Sequence, residues 1–306
     1  MRALVVGGAG FVGSHVVDRL LAERHHVDVV DDLSTGSLAN LAAARATHTH
    51  AVKIHNVDAR LPELGELLAR QQPEVVIHLG LGKSVGAPRT AVEQRLLGSV
   101  NLLEAAVRAK AAKVVVVVPA GQLYGEVATR DLPVKEGALG PARSLATVTA
   151  RTVCDLLGVY RERWALEFTV LAVASVYGPR QRPVDGVVAA FVRAAARGAS
   201  CTIHGDGRQT RDFLFVDDAV DAIVRATERG SGLVVNVGTG KQTSVRDLHA
   251  LVTDGDEPPA TFAPARPDEP GRFAVSPVRA RIHLSWAPWT TLAEGIAATK
   301  AAPAAH

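Results

Sequence analysis

Short, almost wholly apolar runs rich in valine alternate along the first half of the chain with longer stretches of helical periodicity. ALVV (3–6), HVDVVD (26–31), EVVIHL (74–79), KVVVVVP (113–119) and EFTVLAV (167–173) mostly lack the polar–apolar alternation of a strand with one wet face. They read as strands buried on both faces of a parallel sheet. Between them, GSHVVDRLLAERH (13–25), LPELGELLARQQ (61–72) and SVNLLEAAVRAKA (99–111) repeat apolar positions every three to four residues, which predicts amphipathic helices. Strand and helix alternating from residue 1 predict a doubly wound α/β sheet.

After about residue 175 the regularity breaks. YGPRQRPVDG (177–186) is a loop rich in turn formers, VVAAFVRAAARG (187–198) a helix ending in glycine, and VVNVGTG (234–240) a strand and turn. DEPPATFAPARPDEPG (256–271) reads as an ordered connector or lid, and the final AAPAAH as frayed.

GGAGFVG (7–13) follows the first strand and opens the first helix. Gly7, Gly10 and Gly13 permit a tight turn, close approach of backbone to a pyrophosphate, and close helix–strand packing. The exposed amides and positive dipole end of the helix then face the phosphates. The second strand ends in Asp31, eighteen residues beyond Gly13. A carboxylate there accepts from both ribose hydroxyls and repels a 2′-phosphate, favouring NAD(H). Asp32, Ser34 and Thr35 beside it leave NADP(H) open, and a competing reading has Asp31 merely capping a loop. The fold expectation is a Rossmann-like doubly wound parallel sheet with a smaller C-terminal substrate-binding lobe.

Composition narrows the class. With 47% hydrophobic and 21% charged residues the 306-residue chain can bury a sizeable core, and a net charge of +3 from scattered basic residues argues against a nucleic-acid partner. Cys154 and Cys201 stand apart from any CxxC or histidine cluster, so neither a disulfide scaffold nor a metal site is expected. MRALVVGGAG lacks the apolar segment and cleavage site of a signal peptide, and no run approaches a membrane span. The expectation is a soluble cytoplasmic protein with no membrane partner.

GGAGFVGSH, VDDLSTG (30–36), HLGLGKSVG (78–86), VYGPRQ (176–181), TIHGDGRQTRDFLFVDDAVDAI (202–223) and NVGTGKQTSVRDL (236–248) together resemble the extended short-chain dehydrogenase/reductases, in their sugar-nucleotide epimerase and dehydratase branch. The likeness runs over nearly the whole chain. It implies a dinucleotide lobe at 1–174 with a return segment at about 210–238, and a substrate lobe and lid from 175–209 and 239–306. It implies a cofactor site lined by Phe11 and Val12 with the three glycines, by Asp31, Asp32, Ser34, Thr35 and Gly36, by Asp58 and Ala59, and by Leu79, Gly80, Leu81 and Lys83. It also implies that Arg211 and Arg266 hold a diphosphate, a role suited to guanidinium geometry; an ion pair of Arg211 with a neighbouring aspartate is the competing reading. Family members often dimerise through helices near 92–110 and 145–163, so a homodimer is possible by analogy.

The family's chemistry uses a tyrosine as proton donor or acceptor, a lysine that lowers its pKa, and a serine or threonine that orients the carbonyl. Alignment of GPARSLATVTARTVCDLL puts Leu145 at the tyrosine and Thr149 at the lysine, and Ala120 falls at the serine. No Tyr-x-x-x-Lys occurs anywhere in the chain. Tyr124 and Tyr177 belong to structural YG turns. Ser175 and Ala172 replace an asparagine and an arginine of the substrate side, and Arg95 replaces an asparagine in the helix beneath the site. The polar candidates left to face a reacting carbonyl are Ser84, Gln122, Ser144, Thr149, Ser175 and Lys83.

General acid catalysis is worth about 10² to 10⁴ in rate, whereas placement alone reaches effective molarities of about 10⁵ to 10⁸ M. A reductase is therefore feasible without the tyrosine, while epimerisation needs its acid–base group twice. A phenol beside a ketone could supply the proton. The missing triad thus resembles the angucyclinone polyketide ketoreductases within the family. The leading expectation is an NAD(P)H-dependent ketoreductase acting on a bulky aromatic polyketide, with Leu145, Ser175, Arg211 and Arg266 on the substrate side and residues 177–186 and 256–271 as a lid. The alternatives are a catalytically inactive dinucleotide sensor, and a sugar-nucleotide epimerase or dehydratase with relocated acid–base groups.

Overall fold

Valine-rich segments pair where the pattern predicts. The computed structural model describes residues 1–81, 87–253, 258–265 and 271–303. Within them β1 (Arg2–Val6), β2 (His26–Asp31), β3 (Val52–Asn56), β4 (Val75–His78), β5 (Lys113–Pro119) and β6 (Glu167–Val173) are followed by shorter strands. These are β7 (Ser175–Tyr177), β8 (Thr202–His204), β9 (Thr210–Arg211), β10 (Phe213–Phe215), β11 (Leu233–Val237), β12 (Thr243–Ser244) and β13 (Thr261–Ala263). Seven form one sheet in the order β3-β2-β1-β4-β5-β6-β11, every pairing parallel. This is the doubly wound order, with its switch point between β1 and β4. The fold expectation holds.

β3 carries no recognisable apolar run because it is an edge strand, and only its first residue is fully buried. Edge position removes the burial that would select valine at every residue.

Before β5 lie α1 (Phe11–Ala22), α2 (Ala42–Thr47), α3 (Glu63–Gln71), α4 (Pro88–Val92) and α5 (Gly98–Arg108), the last two joined by a wide π turn over Glu93–Leu97. After it come α6 (Ala120–Tyr124), α7 (Leu145–Trp164), α8 (Val187–Ala195), α9 (Val216–Ala226), α10 (Val245–Thr253), α11 (Val278–His283) and α12 (Leu292–Ala301). α9 lies against α1 and leads into β11, so the chain returns to the sheet after leaving it at β6. The pairs β7–β10, β9–β12 and β8–β13 stand apart from the large sheet.

Of the segment 256–271, read as an ordered connector or lid, residues 258–265 and 271 are described. β13 within it pairs in parallel with β8, and the prolines on either side of β13 hid it from the pattern. None of the residues 258–265 lines the cleft described below. Among the described residues no helix is long and apolar enough to cross a membrane.

Candidate functional site

Beyond the C-terminal ends of β1 and β4 opens a cleft of about 1170 Å³. That exceeds the roughly 300–1,000 Å³ of a usual small-molecule pocket, leaving room for two ligands side by side. Gly7 adopts φ +80, in the left-handed region where a side chain is strained. Its amide donates to Val30 O at 2.8 Å, joining the turn to β2. A Cβ on Gly13 would stand 2.1 Å from Gly7 O, so only glycine lets α1 approach β1 this closely. Gly10 caps α1 without any side-chain hydrogen bond. The amides of Phe11, Val12 and Gly13 therefore lack intrahelical acceptors, and all three residues line the cleft. An anion fits that helix end.

Asp31 is buried at the end of β2, its Oδ2 accepting the amide of Ala9 and its Oδ1 that of Leu33, both at 2.9 Å. Burial raises its carboxyl above the ordinary range. It caps the loop and also lines the cleft. Each oxygen keeps a lone pair for a further donor. Asn40, unmarked in the sequence, donates to Ala9 O at 2.9 Å and lines the same wall. Asp32 accepts from the amide and hydroxyl of Ser34 at 2.9 and 2.6 Å. Asp58 is gripped by Arg60, whose Nε lies 2.9 Å from Oδ2, and that hydrogen bond holds its carboxyl below the usual range. Asp32, Ser34, Thr35, Asp58, Ala59, Leu79 and Gly80 all line the cleft. Gly36 and Leu81 do not. Leu81 is fully buried. A Cβ on Gly36 would meet both Asp31 oxygens, at 2.9 and 3.0 Å, so Gly36 acts through that carboxylate. The glycine turn, the open helix end and this carboxylate suit a dinucleotide.

His78, at the end of β4, was not picked out as a site residue by the pattern. Full burial lowers its pKa to about 4, so the ring is neutral. Ser99 Oγ donates to Arg95 O at 2.6 Å, which makes His78 Nε2 the donor in the 3.0 Å contact to Ser99. Nδ1 then accepts from Gly80 N at 3.3 Å, under the cofactor-side loop.

The corner expected to hold the proton chemistry is assembled only in part. Ala120, Gln122 and Ser144 line the cleft. Leu145 and Thr149 do not. Leu145 opens α7 and is 48% exposed, so it is not the pocket wall that was expected. Thr149 is buried and donates to Leu145 O at 2.8 Å, one turn back, which turns its hydroxyl onto the helix. Ser144 accepts the amide of Thr147 at 3.2 Å and so caps α7. Arg151 closes the same stretch by donating to Leu123 O, Tyr124 O and Gly140 O. Tyr124 donates to Asn236 Oδ1 at 2.6 Å, and burial raises its hydroxyl pKa well above normal. Tyr177 donates to Leu292 O at 3.3 Å and is raised in the same way.

On the far wall stand Ser175 and Tyr177 of β7, the loop Arg180–Gly186, part of α8, and Arg211 of β9. Arg211 Nη1 donates to Thr210 O at 2.8 Å. The neighbouring Asp212 gives its oxygens to Thr239, Gly240 and Val275. Arg180 and Gln181, quoted within a signature but not as site residues, also line the cleft. Lys83, Ser84 and Arg266 lie outside the described residues.

The sequence matches the NAD dependent epimerase/dehydratase family over residues 3–238. It is 41% identical to a UDP-glucose 4-epimerase of Mycolicibacterium smegmatis, across 98% of this chain and 97% of that protein. The UDP-glucose 4-epimerase of Thermotoga maritima, solved with UDP-glucose, superposes with a TM-score of 0.91 at 32% identity, covering 98% and 97% of the two chains. The UDP-glucose 4-epimerase of Thermus thermophilus, solved with NAD, gives 0.88 at 32% identity over 98% of each.

These relatives overturn the expectation of a ketoreductase acting on a bulky aromatic polyketide. The acid–base arithmetic disfavours epimerisation, yet over 98% of its length the chain is similar to proteins named UDP-glucose 4-epimerase. The chain is a member of the NAD dependent epimerase/dehydratase family, and NAD is its cofactor class.

Proposed function

We propose that this protein oxidises and re-reduces a ring carbon of a nucleoside diphosphate sugar, as an epimerase with relocated acid–base groups. The observation that carries this reading is the 41% identity to a UDP-glucose 4-epimerase across 98% of the chain. NAD, when bound, supplies reversible hydride transfer. Phe11, Val12 and Gly13 would hold its diphosphate by their amides, and Asp31 its adenosine ribose. Arg211 would grip the diphosphate of the sugar nucleotide across the cleft. Residues 1–174 with about 210–238 would form the cofactor lobe, and 175–209 with 239–306 the substrate lobe.

In the alignment that sets Leu145 and Thr149 against the family's tyrosine and lysine, neither residue can exchange a proton at neutral pH. The acid–base function must then come from other cleft groups or from water held there. Incubation of the purified protein and NAD⁺ with UDP-glucose, UDP-galactose and UDP-glucuronic acid, followed by ¹H NMR of the anomeric region, tests the reading. Interconversion at one ring carbon is expected. A protein that binds NAD yet alters no nucleotide sugar would rule it out and favour the sensor.

A further inference from the structure

Arg95 lies in the π turn Glu93–Leu97 with 3% of its surface exposed. A one-residue widening of a helix of this kind recurs at functional sites. Its Nη1 donates to Gln122 Oε1 at 2.9 Å, across 27 residues of sequence. The carboxamide has only one way to meet a guanidinium, which carries donors and no acceptor. Oε1 must point inward to Arg95, and the NH₂ group must point away from it. Gln122 lines the cleft beside Ala120 and Ser144, and among the described residues its Nε2 has no hydrogen-bond acceptor. Two aimed N–H donors thus face the cleft, fixed from behind by a buried charge.

The support continues deeper. Arg95 O accepts from Ser99 Oγ at 2.6 Å, Ser99 Oγ accepts from His78 Nε2 at 3.0 Å, and His78 Nδ1 accepts from Gly80 at 3.3 Å. One chain of hydrogen bonds, buried at His78, Ser99 and Arg95, therefore runs from the loop at Gly80 to the carboxamide of Gln122. A donor that is pre-aimed and partly desolvated stabilises developing negative charge without reorganising when it forms.

Resting on the reading that the cleft exchanges hydride with a nucleotide sugar, we propose that Gln122 donates a hydrogen bond to the oxygen on the reacting ring carbon. Arg95 is the positioning residue that aims it. As the hydride leaves that carbon for oxidised nicotinamide, the hydroxyl proton passes to cleft water, and Gln122 stabilises the partial negative charge on oxygen. On the return half-reaction the hydride comes back, water returns the proton, and the same donor holds the carbonyl. Gln122 neither gives nor takes a proton.

The test uses the full-length protein with UDP-glucose and NAD⁺, reading kcat, KM, NAD⁺ affinity by calorimetry, and melting temperature. Gln122→Leu fills the space without a donor, and Gln122→Glu keeps the partner of Arg95 but presents oxygens alone. Each is expected to lower kcat by about 10² to 10³, the usual loss of one such donor, with KM changed less than about fivefold and NAD⁺ affinity unchanged. Arg95→Met is expected to lower kcat by about 10-fold, Arg95→Lys to restore part of it, and Arg95→Met with Gln122→Leu to be no worse than Gln122→Leu alone. Normal kcat in Gln122→Leu, with wild-type turnover intact, overturns the inference and leaves the functional reading standing. Absence of any wild-type turnover overturns both.

Discussion

Asp31 and Ala9, twenty-two residues apart, are joined by a 2.9 Å hydrogen bond from the Ala9 amide to the Asp31 carboxylate. The bond fixes the glycine turn against the end of β2, so one side chain shapes both parts of the cleft wall proposed above to take NAD. Asparagine at this position offers one oxygen where two amides donate, and turns an NH₂ toward one of them. Asp31→Asn is expected to weaken NAD⁺ binding by about 10- to 100-fold, the range for leaving a buried donor without its partner. Calorimetry checks it, and an unchanged Kd would remove Asp31 from the site.

His78 makes stability depend on pH. Its pKa falls from 6.5 unfolded to about 4 in the fold, so between those values the unfolded chain binds the extra proton. Stability is therefore full above about pH 6.5 and declines as pH falls toward 4. Between pH 7 and 5 the wild type should lose about 2 kcal/mol more than His78→Gln, as follows from 1.36 kcal/mol per pKa unit. Urea unfolding at the two pH values measures this, and equal losses would contradict the assigned neutral ring.

Asp212 is 1% exposed and accepts from Thr239 N, Thr239 Oγ1, Gly240 N and Val275 N, all of them donors. Asp212→Asn sets an NH₂ against that ring of donors and should cost about 1–3 kcal/mol. Because Arg211 precedes it in the chain, UDP affinity should fall in parallel. Stability that fell with UDP affinity intact would separate Arg211 from the diphosphate.

Arg180 reaches from the loop after β7 to Asp18 on α1 at 2.7 Å, and His15 of the same helix donates to Pro179 O at 3.0 Å. The ion pair is about one-third exposed, so its removal should cost no more than about 1 kcal/mol. Because Arg180 and its loop line the cleft, the effect should fall on ligand binding instead. Arg180→Met is expected to raise the KM for nucleotide sugar by about threefold or more with little change in urea midpoint, and the reverse pattern would make the contact purely structural.

Leu145→Ala should change neither kcat nor KM by more than about twofold, since that side chain stands outside the cleft. Ser144→Ala should cost about 1 kcal/mol through the lost helix cap. A KM effect from Leu145→Ala would show that the residue reaches substrate after all.

The order of strands and helices, the glycine turn and the carboxylate at the end of β2 were all legible in the chain itself. Burial on both faces selects valine at every position, a tight turn selects glycine, and both marks are local. β3 escaped because an edge strand is only partly buried, and β13 because prolines surround it. That no Tyr-x-x-x-Lys occurs in the chain was equally legible, but such an absence says nothing about what the cleft receives. Whether a polar side chain faces that cleft was decided only by tertiary structure. Thr149 turns onto its own helix, Leu145 faces outward, and Gln122 is aimed by an arginine 27 residues away. Such orientations depend on how each helix is rotated against its neighbours and on which buried donors must be matched. No local pattern of apolar and polar residues carries that information.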